Sequence, residues 1–255
     1  MTRFADNDLT CNAFLGGKVR LHQPVSGYRA GVDPVLLAAA VPARAGQKVL
    51  ELGCGAGQAL FCLSARVPQL SLTGVELQPE YADLARRNAE ENGCEVELWE
   101  ADIRTLPTDL RQRQFDHVIA NPPYYRAGSH SAARDPGRAT ALGDTAALEE
   151  WVETAARRLA PKGYLHVIQR ADRLPELLAG CAGRLGSIEV LPLAPRVGRE
   201  PELILLRARK AGKAPFRLHA AKILHTGERH ERDEDHYTPE IAAILRQGAS
   251  LIWPK

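Results

Sequence analysis

Short apolar runs alternate along the middle of the chain with longer segments that have helical periodicity. The apolar runs that predict strands are residues 48–52, 71–75, 95–99, 115–120 and 163–168. The stretches that predict helices are residues 57–66, 79–91 and 146–160. Alternation of strand and helix is typical of a mostly parallel sheet covered by helices on both faces. We therefore predict an α/β fold of the Rossmann-like type.

Two further strands are predicted near the end of this region. Ser187–Leu191 and Pro201–Leu206 are apolar, and the loop between them contains proline and glycine. Strands joined by so short a connection usually pair antiparallel. We expect this pair to add an antiparallel edge strand to the sheet.

The two ends of the chain have a different character. Residues 1–30 are polar and contain scattered glycines, which predicts an irregular arm, and Asp33-Pro34 before an apolar run predicts the first helix. Near the other end, the charged stretch from His225 to His236 predicts a solvated loop, and Thr238 to Leu245 predicts a short helix.

These patterns divide the chain into three parts. Residues 1–45 form the arm and first helix, 46–210 the main domain, and 211–255 a basic and charged tail that completes the same domain.

Composition excludes several classes of protein. The five cysteines contain no C-x-x-C pair, so neither a disulfide framework nor a zinc site is favoured, and we expect a cytoplasmic protein without a metal. No apolar run approaches the ~20 residues that a membrane helix needs, and the N-terminus does not resemble a signal peptide. A net charge of +2 does not by itself indicate a nucleic-acid binder, so such a partner would need a local basic patch.

A glycine-rich turn follows the first predicted strand of the main domain. The segment runs Glu51-Leu52-Gly53-Cys54-Gly55-Ala56-Gly57, and glycines let a backbone turn tightly against a ligand. The dinucleotide fingerprint requires a further glycine where this chain has Gln58. An acid that enters the turn suits the ammonium group of a methionine moiety better than a pyrophosphate. The alternative is a turn that holds no ligand.

Acidic residues also end the next two predicted strands. Glu76 lies about 20 residues beyond the glycines, where an acid can accept from both ribose hydroxyls, although it could equally cap the following helix. Asp102 can accept from an adenine amino group while Ile103 packs against the ring, although aspartate is also common in turns. Three such features at successive strand ends favour a nucleoside-containing ligand.

The fourth strand is followed by Asn121-Pro122-Pro123-Tyr124. The prolines remove backbone donors and stiffen the turn, which leaves the Pro122 carbonyl without a partner. This carbonyl and the Asn121 side-chain oxygen can both accept from one –NH2 group, which would direct the nitrogen lone pair towards a methyl donor. Tyr124 offers a ring for stacking on a base. The alternative is a rigid turn that only ends the strand.

These motifs resemble those of class I, Rossmann-like methyltransferases that act on adenine N6 or glutamine N5. The resemblance implies a seven-stranded sheet with its last strand antiparallel, S-adenosylmethionine as the cofactor, and catalysis by the Asn121–Tyr124 tetrapeptide. Within that class, the segment from Gln23 to Pro34 resembles the bacterial tRNA1(Val) adenine-37 N6-methyltransferase group, in which it packs over the cofactor. The implied cofactor neighbours are Tyr28, Ala30, Gly31, Asp33, Glu51, Gly53, Cys54, Gly55, Gly57, Glu76, Leu77, Asp102, Ile103 and Asn121.

The resemblance implies an RNA substrate, with A37 of tRNA1(Val) as the specific expectation. The candidate RNA-contacting residues are Arg126, Arg134, Arg138, Arg207, Arg209, Lys210 and Lys213. The alternatives are a glutamine of a release factor, an rRNA guanine N2, a DNA adenine, or a cofactor-binding regulatory module. We expect neither the helical front domain of the glutamine enzymes nor the recognition insertion of the DNA enzymes. We expect no membrane partner, and a monomer or weak homodimer.

Overall fold

The computed structural model describes residues 4–124, 146–227 and 236–254. The strands are β1 (Leu9–Phe14), β2 (Val19–Pro24), β3 (Lys48–Leu52), β4 (Ser71–Glu76), β5 (Val96–Glu100), β6 (Phe115–Ala120), β7 (Leu159–Arg170), β8 (Leu185–Ala194), β9 (Leu203–Lys210), β10 (Arg217–Leu218) and β11 (Lys222–Ile223). The helices are α1 (Asp33–Ala40), α2 (Gln58–Arg66), α3 (Pro79–Glu91), α4 (Thr108–Arg111), α5 (Leu148–Arg158), α6 (Leu174–Cys181) and α7 (Pro239–Gln247).

The main sheet confirms the Rossmann-like prediction. Its order is β5-β4-β3-β6-β7-β9-β8-β10, with β11 also paired to β8, so the described residues form nine strands where seven were expected. Strands β3 to β7 are mutually parallel. The two additional strands have two residues each and run parallel to β8. They extend the expected seven-stranded sheet without changing its centre.

Strands β8 and β9 pair antiparallel, as predicted, but β9 is not the edge of the sheet. It forms antiparallel hydrogen bonds with β7 on one side and with β8 on the other. The pair still ends the run of longer strands, because β8 lies outside β9 and, among the described residues, only the two-residue strands β10 and β11 lie beyond it. The connection from β8 crosses back to the side of β7, and β10 and β11 then cover the outer side of β8.

The N-terminal segment is not an irregular arm, because β1 and β2 form an antiparallel hairpin. Its inward side chains are buried, with Leu15 at 2%, Val19 at 1% and Leu21 at 0% exposure. The turn needs glycine, since Gly16 has a φ of 67° and a side chain there would lie 2.5 Å from the Arg246 carbonyl oxygen. Only two apolar positions alternate in β2, which is too short a pattern to distinguish a strand from a polar arm.

Apolar side chains on the two faces of the sheet form two clusters. One cluster joins α1, α2 and α7, and the other joins α5 and α6. The C-terminal residues close the first cluster, because the Leu251 amide donates to Ala39 O at 2.9 Å and Trp253 Nε1 to Ala40 O at 2.9 Å. The tail thus packs against α1, while the proposed boundaries at 45 and 210 remain predictions.

The predicted helix near the C-terminus is present as α7. The charged stretch before it lies partly outside the described residues, at 228–235. Its two ends are held together by an antiparallel bridge between His225 and Tyr237. Among the helices of the described residues, none has both the length and the apolar character required to cross a bilayer.

Candidate active site

The carboxyl ends of three adjacent parallel strands bring the predicted motifs together. Strand β3 lies between β4 and β6, with Glu51 opposite both Gly74 and Ile119. Open α/β sheets bind ligands at this edge, where the connections diverge to opposite faces. The glycine turn after β3 therefore lies between the acid that ends β4 and the tetrapeptide that follows β6.

The glycine turn leaves no room for side chains at two positions and leaves open space at a third. A Cβ on Gly53, whose φ is 63°, would lie 2.5 Å from the Trp151 ring, and one on Gly57 would overlap the Phe61 ring. A Cβ on Gly55 would meet no atom within 4 Å. Gly55 is thus the position at which a ligand can approach the backbone.

Glu76 holds the turn in place. Its carboxylate is 7% exposed and accepts from the Gly55 amide at 2.8 Å and from the Gln78 amide at 2.9 Å. Burial raises the pKa of Glu76, and these backbone donors lower it. Glu76 therefore has the capping role that the sequence left open, because it holds the loop before α3. Contact of its remaining lone pairs with ribose hydroxyls remains a prediction.

Glu51 is more deeply enclosed. It is 3% exposed and accepts from the Leu60 amide in α2 at 3.2 Å, and burial raises its pKa well above the ordinary value. A neighbouring ammonium group would favour the charged carboxylate again. The predicted contact between Glu51 and a methionine ammonium is consistent with this environment and remains a prediction.

Asp102 and Ile103 lie at the end of β5. Asp102 accepts from the Arg104 backbone amide at 2.8 Å and forms an ion pair with the Arg104 guanidinium at 2.6 Å, and these hydrogen bonds lower its pKa. Ile103 is 8% exposed, whereas Leu77 beyond β4 is 52% exposed. The sequence did not indicate that Arg104 would form an ion pair with Asp102. Contact of Asp102 with an adenine amine stays a prediction.

Asn121 carries the most informative polar atom of the site. Its side-chain oxygen is buried and has no hydrogen-bond partner among the described residues. Its side-chain nitrogen donates to the Tyr28 hydroxyl at 3.3 Å. Buried polar atoms are normally satisfied, so an unpaired acceptor at a strand end suits a ligand that brings a donor.

Tyr124 is held by Asp33, the first residue of α1. Its hydroxyl donates to Asp33 Oδ2 at 2.5 Å. Burial raises the pKa of the Asp33 carboxyl, and the hydrogen bond from Tyr124 lowers it. The tetrapeptide is thus connected at both ends to residues 28–33, by Asn121 to Tyr28 and by Tyr124 to Asp33.

Hydrogen bonds also tie residues 28–33 to the first residue of α2, directly after the glycine turn, and to β2. Gln58 Nε2 donates to Gly31 O at 3.0 Å, and the Ala30 amide donates to Gln23 Oε1 at 2.9 Å. Gln58 stands where a dinucleotide-binding turn would have its last glycine, and here its side chain anchors the segment. The structure thus brings Tyr28, Ala30, Gly31 and Asp33 near the site, and their contact with a cofactor remains a prediction.

The Pro122 carbonyl differs from the prediction, because it already has a partner. Gln169 Nε2 donates to Pro122 O at 3.1 Å and to Pro123 O at 3.4 Å, and Arg173 donates to Pro123 O at 3.0 Å. A carbonyl has two lone pairs, so Pro122 O retains one for a ligand. Gln169 and Arg173 were missed, although a glutamine at the end of an apolar strand is a signal that could have identified the first.

The predicted basic RNA contacts divide into two groups. Arg126, Arg134 and Arg138 lie outside the described residues. Arg207, Arg209 and Lys210 belong to β9, and Lys213 follows it.

Arg209 and Lys210 lie towards the end of the parallel strands that is opposite to the tetrapeptide. Arg209 is opposite Tyr164, which is opposite His117, four residues before Asn121 and thus roughly 13 Å away along the strand. Arg207 is occupied by an ion pair with Glu189 at 2.7 Å. Strand β9 runs antiparallel to β7, so Lys213 after its end also lies away from the tetrapeptide. Contact of these basic residues with RNA phosphates remains a prediction.

The described residues contain no group of three or more histidine, cysteine, aspartate or glutamate side chains arranged to hold a metal ion. The site instead offers the backbone and carboxylates of the glycine turn on one side and amide and carbonyl acceptors on the other. The open space at Gly55 and the unpaired oxygen of Asn121 fit a nucleoside-containing methyl donor next to a planar amine.

Solved structures share this fold. A predicted O-methyltransferase from Agrobacterium tumefaciens has a TM-score of 0.69 and 27% identity, with 86% of this chain and 98% of that chain covered. The 16S rRNA N2 G1207 methyltransferase of Thermus thermophilus, solved with AdoMet and guanosine, has a TM-score of 0.57 and 21% identity over 79% of this chain and 50% of that chain.

Sequence comparisons give the family. One curated relative is the tRNA1(Val) (adenine(37)-N6)-methyltransferase of Porphyromonas gingivalis, 31% identical over 76% of this chain and 79% of the relative. The protein of the same name from Yersinia enterocolitica is 27% identical over 85% of this chain and 84% of the relative. The family model for the methyltransferase small domain matches residues 29–190. This chain therefore belongs to the methyltransferase small domain family.

Proposed function

We propose that this methyltransferase uses S-adenosylmethionine to methylate the N6 amine of an adenine in tRNA, with A37 of tRNA1(Val) as the target. The observation that carries the proposal is the buried, unpaired side-chain oxygen of Asn121 at the end of β6. It lies at the sheet edge that also carries the glycine turn, and related proteins named for this reaction align over three quarters or more of the chain.

The adenine N6 amine is a poor nucleophile, because its lone pair is delocalised into the ring. Asn121 Oδ1 accepts one N6 hydrogen, and the free lone pair of the Pro122 carbonyl accepts the other. Both acceptors draw the hydrogens aside, so that the nitrogen lone pair points towards the incoming methyl group. S-adenosylmethionine supplies an electrophilic methyl group when bound.

The remaining residues position and shield these groups. The target base can stack on the Tyr124 ring. The hydrogen bond from the Tyr124 hydroxyl to Asp33 restrains the orientation of that ring. Glu76 and the open backbone at Gly55 are suited to the nucleoside part of the cofactor. An adenine in a single-stranded anticodon loop can reach such a site without the opening of a duplex.

The experiment uses purified protein, labelled S-adenosylmethionine and unmodified tRNA1(Val) transcripts. We expect label in N6-methyladenosine on the wild-type transcript and none on a matched transcript with guanosine at position 37. Label on guanine N2 of rRNA, or on release factor with none on any RNA, would overturn the proposal.

We also propose that the protein is cytoplasmic and acts as a monomer or weak homodimer. All five cysteines are free, which suits a reducing compartment. Light scattering during size exclusion, with and without tRNA, measures the mass of the active species; a stable higher oligomer contradicts this part.

A further inference from the structure

Gln169 is a fully buried side chain, outside the proposed reacting groups, whose amide oxygen and nitrogen are both hydrogen-bonded. It is 0% exposed and lies at the end of β7, in the middle of the sheet. Its Nε2 donates to Pro122 O and Pro123 O, and its Oε1 accepts from the Arg170 amide at 2.8 Å. Two carbonyls require a donor and one amide requires an acceptor, so these partners determine the orientation of the Gln169 amide.

The prolines explain why a side chain is needed here. Strands β6 and β7 pair as far as Ala120 and Val167, and continuation of this register would place Pro122 opposite Gln169. The backbone ladder cannot continue through Pro122 and Pro123, because neither has an N–H group. The Gln169 side chain replaces the missing ladder contact and holds the backbone of the turn against β7.

This contact also determines the direction of the second amine acceptor. One lone pair of the Pro122 carbonyl is taken by Gln169, so the direction of the other lone pair is set by the same bond. Arg173 supports only the following carbonyl, that of Pro123, at 3.0 Å. In the described residues, Pro122 O has no other donor from a side chain.

We infer that Gln169 is a positioning residue for methyl transfer: by binding the Pro122 carbonyl, it aims that carbonyl at the amine between it and Asn121. This inference rests on the proposed function. Gln169 acts through Pro122 and does not itself touch the substrate. Its loss should therefore lower the turnover rate much more than the affinity for tRNA or cofactor.

The test compares Gln169→Met with Gln47→Met. Both substitutions remove a side-chain amide of the same length, but Gln47 lies before β3 at the opposite end of the strands, where its Oε1 accepts from the Arg44 amide at 2.8 Å. We measure kcat and KM for the RNA that the wild-type protein methylates, cofactor Kd by calorimetry, and Tm. A displacement of reacting groups by about 1 Å can cost up to a hundredfold in rate.

We expect Gln169→Met to lower kcat by about ten- to a hundredfold, with both KM values and cofactor Kd within about threefold of wild type. Gln47→Met should keep kcat within about twofold of wild type, even if its Tm falls as much as the Tm of Gln169→Met. Unchanged kcat in Gln169→Met, a loss confined to KM, or an equal loss in Gln47→Met at the same Tm would overturn the inference.

A second variant decides the matter if Gln169→Met does not fold. Gln169→Asn keeps a polar amide but withdraws its nitrogen by about one carbon–carbon bond, ~1.5 Å. We expect a smaller loss of kcat with KM unchanged; full kcat would contradict the inference. Failure of the proposed function is distinguishable, because it appears as wild-type protein that methylates no RNA adenine, and the comparison of variants can then use whichever amine it does methylate.

Discussion

Substitution of Asn121 by alanine tests the proposed chemistry most directly. The change removes the buried, unpaired side-chain oxygen and the 3.3 Å hydrogen bond from the side-chain nitrogen to Tyr28. The lost oxygen has no partner among the described residues, so we expect its hydrogen bond to be made with the substrate. Loss of one such transition-state contact typically costs about 2.7–4 kcal/mol, or roughly a hundred- to a thousandfold in kcat.

The effect on stability should be much smaller. The bond to Tyr28 is a neutral one, and Tyr28 is 48% exposed, so its loss should cost no more than about 1 kcal/mol of unfolding free energy. Removal of an unpaired buried acceptor offsets part of that loss. Asn121→Ala should therefore fold and bind S-adenosylmethionine with a Kd within about threefold of wild type.

The assay is methyl transfer to tRNA under single-turnover conditions, with cofactor Kd and Tm measured on the same preparation. Asn121→Asp is the matched variant, because it retains an oxygen at the position of Oδ1, and we expect it to keep more activity than Asn121→Ala. A single-turnover rate for Asn121→Ala within threefold of wild type would refute the role of this oxygen.

Three further predictions concern other parts of the molecule. Glu76→Gln removes the charge beside the glycine turn, and its amide nitrogen cannot accept from one of the two backbone N–H groups that the carboxylate binds. Tm should therefore fall, and cofactor Kd measured by calorimetry should rise about tenfold; an unchanged Kd contradicts the assignment. Tyr124→Phe removes the bond to Asp33, and kcat should fall about three- to tenfold because the ring is less restrained; equal kcat shows that the bond is not needed. Burial lowers the pKa of His117 from 6.5 to about 4, so the folded state favours its neutral form. Stability that depends on it should be complete above pH 6.5 and be lost as pH falls towards 4. Tm measured across that range should fall more steeply in wild type than in His117→Asn.

The strand-end motifs could be predicted from the sequence because each depends on local backbone chemistry. Glycines at 53 and 57 have positive φ, as a tight turn requires, and the two prolines at 122 and 123 end the pairing of β6. In a parallel sheet the ends of neighbouring strands meet at one edge. The convergence of Glu51, Glu76 and Asn121 therefore followed from their positions at the ends of successive strands.

The N-terminal hairpin could not be predicted in the same way. Each of its two strands has only six residues, and their stability depends on contacts with distant parts of the chain. The His22 backbone amide donates to Asn88 Oδ1 of α3 at 2.7 Å, across a separation that no local pattern records. The direction of β9 was predicted, but its neighbours were not, because pairing with both β7 and β8 depends on the path of the chain.

By itself, the sequence determined the α/β class, the order of strand and helix, and the identity of the residues at each strand end, since periodicity, glycine and proline act within a few residues. The tertiary structure alone decided how those residues are held. Gln169 donates a hydrogen bond to the Pro122 carbonyl, and the Asn121 amide nitrogen donates one to the Tyr28 hydroxyl. Arg209 lies at the end of the strands opposite to the tetrapeptide. The physical reason is that hydrogen-bond partners of a buried group are selected by distance in space, which the order of residues along the chain does not specify.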